Sequence, residues 1–269
     1  MIPKWLIDIR GRVPAKTALL LGLIPIVVAL VLWWLLTRGE PELRVVTPSI
    51  LPSPHETIEK ISDLVSPQKA LLTNTFKSLK RVGLGYILAL VISLPLGVLM
   101  GSFGSCRALF GPSLTASGYI PIATLVPLTM TWFGTGELQK VMFLALAFTV
   151  FLVPATIGAV DAVPDVYLRT ASTLGASRAT LIFRVLVPVA APGIWQSMRT
   201  AFGVGWTYLV LTEVVVRDGG LGDLIEIANR RGPREHVYLI IILITLIAWI
   251  ADILWVQLGN LLFPYRRTR

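Results

Sequence analysis

Six stretches of this chain are long, apolar and almost free of charge, and that pattern decides most of what it can fold into. They cover residues 18–37, 82–106, 108–136, 141–160, 200–216 and 237–265, the fifth interrupted only by Glu213 and the sixth only by Asp252. A helix of about 20 apolar residues crosses the hydrocarbon core of a bilayer, so each stretch holds one span. In the third, Gly111-Pro112 opens the stretch, Gly134 closes it, and Pro121 and Pro127 lie inside. It is read as one tilted or kinked helix plus an entry segment. The expectation is an all-α polytopic membrane protein with about six transmembrane helices.

Composition agrees. Only 14% of the 269 residues are charged and 55% are hydrophobic, against roughly 25% charged in soluble domains. The net charge of +9 is scattered in short clusters between apolar stretches, which excludes a nucleic-acid binder. One cysteine, Cys106, and two histidines, His55 and His236, provide neither a disulfide framework nor a zinc cluster.

The chain divides into an N-terminus (1–17), a first helix (18–37), an external segment (38–70), a five-helix core (71–262) and a basic tail (263–269). Lys4, Arg10, Arg12 and Lys16 precede an apolar run, but no small-residue cleavage site follows it, so the first helix is read as uncleaved. With six spans, Lys and Arg split twelve to twelve between the two sides. The four basic residues before the first helix and the basic tail break the tie and put both termini in the cytoplasm. The external segment contains an amphipathic stretch, 55–65, with Ile58, Ile61, Leu64 and Val65 on one face. A short helix over 223–230 is expected between the last two spans.

The 161–192 connection falls on the cytoplasmic side. Val163-Pro164-Asp165 starts a helix, Gly175 stops it, and Ser177 caps a second short helix over 178–186, which Pro188 and Pro192 end. Leu181, Ile182, Val185 and Leu186 oppose Arg178 and Arg184. Such a helix is either a rigid knob or an interfacial helix lying on headgroups.

The run Arg169-Thr170-Ala171-Ser172-Thr173-Leu174-Gly175-Ala176-Ser177, followed by Val185, Val187 and Pro188, resembles the coupling loop of ABC-importer permeases. Its spacing matches the Glu-Ala-Ala…Gly…Ile-x-Leu-Pro pattern in full, with Arg169 and Thr170 replacing Glu and Ala, and Val185 and Val187 replacing Ile and Leu. Leu51-Pro52-Ser53-Pro54, Ser93-Leu94-Pro95-Leu96-Gly97, Tyr119-Ile120-Pro121-Ile122, Trp132-Phe133-Gly134-Thr135-Gly136, Thr212-Glu213 and Gly220-Leu221-Gly222 extend the likeness over residues 45–262. They are similar to the nitrate/sulfonate/taurine/bicarbonate branch. The resemblance implies the type I permease fold, a homodimer in a bacterial cytoplasmic membrane, two ATP-binding subunits and an external solute-binding protein. It also implies that the knob, with Gly175 at its turn and Leu181, Ile182 and Val185 as its apolar contact, docks on the ATPase. No Gly-x-x-x-x-Gly-Lys-Ser/Thr occurs. The chain is therefore expected to hold no cofactor, with ATP and magnesium on the separate subunit.

Small residues recur on the second helix, Ala89, Ser93, Gly97, Gly101 and Ser105, and on the fifth, Ser197, Ala201 and Gly205. They form either packing within one chain or a dimer seam. Thr124, Thr129, Thr131, Trp132, Trp206, Thr207 and Glu213 are candidates for a translocation path, the two Trp equally suited to an interfacial belt. Ion pairing is the favoured role for Glu213 and Asp252. With no set of fixed cations inside the spans, an anion would pass without being held tightly. The alternatives are a secondary transporter or channel, for which repeated halves or midplane ionisable groups would be needed, and an intramembrane enzyme, for which no paired nucleophile and base is found.

Overall fold

A computed structural model describes residues 13–66 and 71–266; Lys4, Arg10, Arg12, Arg267 and Arg269 lie outside the described residues. The described elements are all helical. They comprise α1 (Ala15–Thr37), α2 (Pro54–Glu59), α3 (Ile61–Val65), α4 (Leu71–Ser102), α5 (Gly104–Ser117), α6 (Leu125–Phe133), α7 (Glu137–Asp161), α8 (Asp165–Thr173), α9 (Arg178–Val215), α10 (Leu221–Arg231) and α11 (Arg234–Leu262). Five of them, α1, α4, α7, α9 and α11, are long and apolar enough to cross a bilayer, and counting the bent pair of α5 with 122–133 as one span gives six.

That bent pair replaces the single kinked helix expected over 108–136. The chain turns by 83° between 104–117 and 122–133. Pro121 has no N–H to continue a helix and holds Ile120 away from the α region, so the break falls where proline chemistry puts it. In contrast, Pro188 and Pro192 end nothing. Residues 181–186 form a wide π turn in which Val187 N–H donates to Ile182 O, five residues back. Widening the turn relieves the clash that Pro188 imposes, whereas Pro192 lies inside α9 beyond it. The expected short helix over 178–186 is therefore the first part of α9, which runs unbroken to Val215.

The core is α7 held between α4 and α9. The small residues of α4 make the close approach possible. A Cβ added to Gly97 would lie 2.6 Å from Thr156 Cβ, and one added to Gly101 would lie 2.7 Å from Val160 Cβ. Ala89 and Ser93 are fully buried on the same face. On the other side of α7, Ser197 Oγ donates to Ala155 O at 3.2 Å, Ala201 is buried, and Gly205 lies against the Phe148 ring. Both stripes are thus spent on packing within the chain, except Ser105, which lies exposed on α5 because α4 ends at Ser102. Tyr86 closes the middle of the bundle: its ring meets Phe148, Phe202 and Trp255 edge-on, and its hydroxyl donates to Met198 O at 2.8 Å.

The flanking pieces are attached more sparsely. α1 buries nothing along its apolar window. It is tied at its end, where Trp33 Nε1 donates to Pro52 O and the Trp33 ring stacks on Tyr238. Of the amphipathic face expected over 55–65, only Leu64 is buried; Ile58, Ile61 and Val65 are exposed. α2 is stabilised locally instead, by a capping box between Ser53 and Glu56 and a bidentate Arg44–Glu56 pair at 2.8 and 3.0 Å.

Two predictions follow from these contacts. Gly97→Leu should destabilise the detergent-solubilised protein by about 1–3 kcal/mol through overpacking against Thr156, read as a fall in Tm. The Arg44 guanidinium, with the Ser53 cap, holds the Glu56 carboxyl down at about 2 from an ordinary 4.5. A depressed carboxylate contributes its stability above the ordinary value and loses it as pH falls toward the depressed one. Hydrogen exchange of the 44–57 segment, corrected for intrinsic rates, should therefore be flat from pH 7 to 5 and rise between about pH 4.5 and 2.

Candidate functional site

Chemistry concentrates at the two ends of the bundle. One end carries the 161–192 connection. α8 begins with Asp165 in its first turn after Pro164 and ends in a paired C-cap. Gly175, at φ +77°, donates to Ser172 O, and Ala176 N–H donates to Ala171 O. Ser177 then caps α9, its Oγ accepting from Thr180 N–H at 3.3 Å. The turn thus projects beyond the bundle. Beneath it Leu186 packs with Val160, Val163 and Leu168. Leu181, Ile182 and Val185, expected to supply the apolar contact, are half-buried on the inner side. The side chains presented outward are Leu174, 83% exposed, and Phe183, 71% exposed, flanked by the exposed Arg169, Arg178 and Arg184. Thr170 and Pro188 are also exposed, and Ala171 and Ala176 are half-buried. Arg169 pairs with Asp165 of its own helix at 3.6 Å, both largely exposed, so that pair contributes little to stability.

At the opposite end, Arg81 is fully buried and every donor of its guanidinium is used. Nε donates to Glu137 Oε2 at 2.8 Å and Nη2 to Glu137 Oε1 and to Asp218 O; Nη1 donates to Glu213 Oε1 at 2.7 Å and to Gly219 O at 2.6 Å. Glu213, also fully buried, accepts from Ser78 Oγ and from Gly222 N–H at 2.9 Å. Ser78 Oγ accepts from Leu221 N–H, Asn74 Oδ1 from Gly220 N–H, and Asp223 Oδ2 from Gly219 N–H. Gly220 has φ +109°, and a Cβ there would strike the Glu213 carboxylate and Arg81 Nη1. Glu213 thus pairs as expected, but with a cation outside the apolar windows that were counted.

The expectation of spans without fixed cations is overturned. Arg81 lies within α4 and Lys140 within α7, both fully buried; Lys140 Nζ is 3.9 Å from Asp218 Oδ2 and makes no hydrogen bond among the described residues. Arg199 of α9 forms a bidentate pair with Asp252 of α11 at 2.6 and 2.7 Å. The proposed path residues do not form one surface. Thr129 and Trp206 are buried in the core, with Thr129 Oγ1 accepting from Gln139 Nε2; Gln139 Oε1 in turn accepts from Thr212. Thr124, Thr131, Trp132 and Thr207 are exposed. Sequence reading missed Arg81, Ser78, Asn74, Glu137 and Asp223. The available signal was Glu213 followed closely by Gly219-Gly220-Leu221-Gly222, a carboxylate beside a run of free backbone N–H groups.

Residues 93–263 match the family described as "Binding-protein-dependent transport system inner membrane component". The chain is 29% identical over 249 residues to the taurine transport system permease protein TauC of Escherichia coli, covering 91% of this chain and 89% of that protein. It is 26% identical over 250 residues to the nitrate import permease protein NrtB of Synechocystis, covering 90% and 88% respectively. A solved inward-facing structure of the MetNI methionine ABC transporter shares the fold, with a TM-score of 0.65 at 17% identity over 72% of this chain and 98% of that one.

Removing one partner of a buried ion pair strands the other charge. Arg81→Met should therefore cost about 3–5 kcal/mol, seen as lost yield or a lowered Tm. Adding Glu213→Gln to Arg81→Met should recover part of that loss, a coupling read from the double-mutant cycle.

Proposed function

Because this chain belongs to the family of binding-protein-dependent transport system inner membrane components, we propose that it carries a small anion of the taurine, sulfonate, nitrate or bicarbonate kind. It is the membrane-spanning permease subunit of an ABC importer, and ATP hydrolysis belongs to a partner subunit. In our reading two copies of the chain and two ATP-binding subunits, which hold ATP and Mg²⁺, form the transporter in a bacterial inner membrane. An external solute-binding protein delivers the solute. Both termini and the 161–192 turn face the cytoplasm, and 38–66 and 217–235 face outward. The names of the relatives support the anion class.

The observation that carries the mechanism is the turn at Gly175. A rigid, doubly capped projection presents Leu174 and Phe183 to a partner while the rest of the connection is packed beneath it. Apolar side chains at the centre of a small contact supply most of its energy, and the surrounding Arg178 and Arg184 select the partner by charge. Closure of the ATPase pair pushes on this projection. Because α9 continues from it without a break, the push travels along the helix toward Glu213.

The test is reconstitution in proteoliposomes with the ATPase subunits and the binding protein. Uptake should require ATP, and hydrolysis should rise with loaded binding protein. Leu174→Asp or Phe183→Asp should lower uptake by about tenfold or more. Tm should be unchanged, since both side chains are exposed. ATP-independent uptake by this chain alone would refute the reading.

A further inference from the structure

A cavity of about 460 Å³ lies beside the polar cluster at the 217–235 end, bounded by α10, α3 and the start of α11. Leu64, Leu224, Ile227 and Ala228 form an aliphatic wall, Asp223 lies at one end, and the exposed Arg231 lies two helical turns further along α10. Asp223 is nine-tenths buried. Its Oδ2 accepts from Gly219 N–H at 3.0 Å, while Oδ1 is buried with no hydrogen-bond partner among the described residues. As the third residue of α10, Asp223 gains from the positive end of the helix. That field does not supply a donor to the second oxygen, and a buried charged acceptor left unmade is costly. The pocket shares Asn74, Gly219 and Asp223 with the polar cluster, and the buried His236 also lines it, but no role assigned above uses the cavity itself.

We propose that the pocket is a docking socket for a lysine side chain of the external solute-binding protein, with Asp223 Oδ1 receiving the ammonium. The proposal rests on the importer reading and its outward assignment of 217–235. Three observations select the occupant. The charge is complementary: one buried carboxylate oxygen with no donor. The open acceptor is one oxygen, which a single N–H of an ammonium satisfies while its remaining N–H groups stay with water at the mouth. The wall suits a four-methylene stem, which buries its carbons while its head finds a partner.

The experiment uses the whole transporter, with its ATPase subunits, in lipid nanodiscs together with the loaded binding protein. A zero-length carbodiimide reaction on the wild-type complex should join Asp223 to a lysine of the binding protein, identified by peptide mass spectrometry. Asp223→Asn keeps a side-chain oxygen for Gly219 N–H, removes the charge, and should abolish that cross-link and weaken binding about tenfold. Ile227→Trp fills the cavity from its half-exposed wall and should weaken binding similarly without altering the carboxylate. Replacing the cross-linked lysine by alanine should weaken binding to wild type but add nothing to Asp223→Asn. A wild-type complex with no such cross-link, and with unchanged affinity in both variants, overturns the socket and leaves the importer reading standing. Failure of wild type to bind the binding protein overturns both. Protection of Asp223 from carbodiimide by butylammonium, with binding-protein affinity unaffected by the variants, assigns the pocket to a free alkyl cation and overturns the docking role.

Discussion

The buried guanidinium of Arg81 is the interaction on which one whole end of this molecule depends. It joins α4 to the start of α7 through Glu137, to the end of α9 through Glu213, and to the following turn through the carbonyls of Asp218 and Gly219. Taking one cation and one carboxylate out of water costs several kcal/mol each, and only a fully satisfied geometry repays it. Here the satisfaction is complete on the Arg81 side. On the Glu213 side it is extended by Ser78 and the N–H of Gly222, which also fixes the first turn of α10. The glycine at 220 follows from this arrangement, since its left-handed backbone and lack of Cβ leave room for the two charged groups to meet.

The other end is built on a different principle. The projection at Gly175 is held by backbone caps and by a small apolar cluster around Leu186, with its largest apolar groups exposed. Such an end can bind and be displaced without uncovering a buried charge. α9 belongs to both: Arg178 and Phe183 lie at one terminus and Glu213 at the other. Its 38 residues rise by about 57 Å at 1.5 Å each, well beyond a bilayer core of about 30 Å. A single stiff element therefore links the projection at Gly175 to the end that Arg81 latches.

Charge-free windows located the spans because the bilayer imposes the same demand on every one of them. The same criterion hid the latch. Arg81 and Lys140 sit just before the windows at 82 and 141, so a rule that ends a span at the first charge discarded the cations that α4 and α7 bury. Proline misled in both directions. Pro121 breaks a stretch that was read as one kinked helix with an entry segment, whereas Pro188 directly follows a π turn that periodicity does not reveal and Pro192 lies inside α9. Amphipathicity identified the 178–186 helix but selected its inner face: Leu181, Ile182 and Val185 look inward, and Leu174 and Phe183 meet the outside. An apolar stripe records where a helix packs, and in a docking element the packed face is the one the partner does not see.

The small residues of α4 carry a consequence for assembly. Ala89, Ser93, Gly97 and Gly101 are close-packing residues of the kind that join helices of different chains in membranes. In this chain α7 covers them, with Thr156 and Val160 too near for even one added methyl group. A surface already occupied at that distance has no room for a second copy. In the homodimer proposed above, the seam would have to come from surfaces that the single chain leaves open. Among the described helices these include α1, whose apolar window is wholly uncovered, and α5, none of whose residues is buried. α5 also presents the exposed Ser113 and Thr115, hydroxyl groups that gain less from lipid chains than from a polypeptide or a water-filled path.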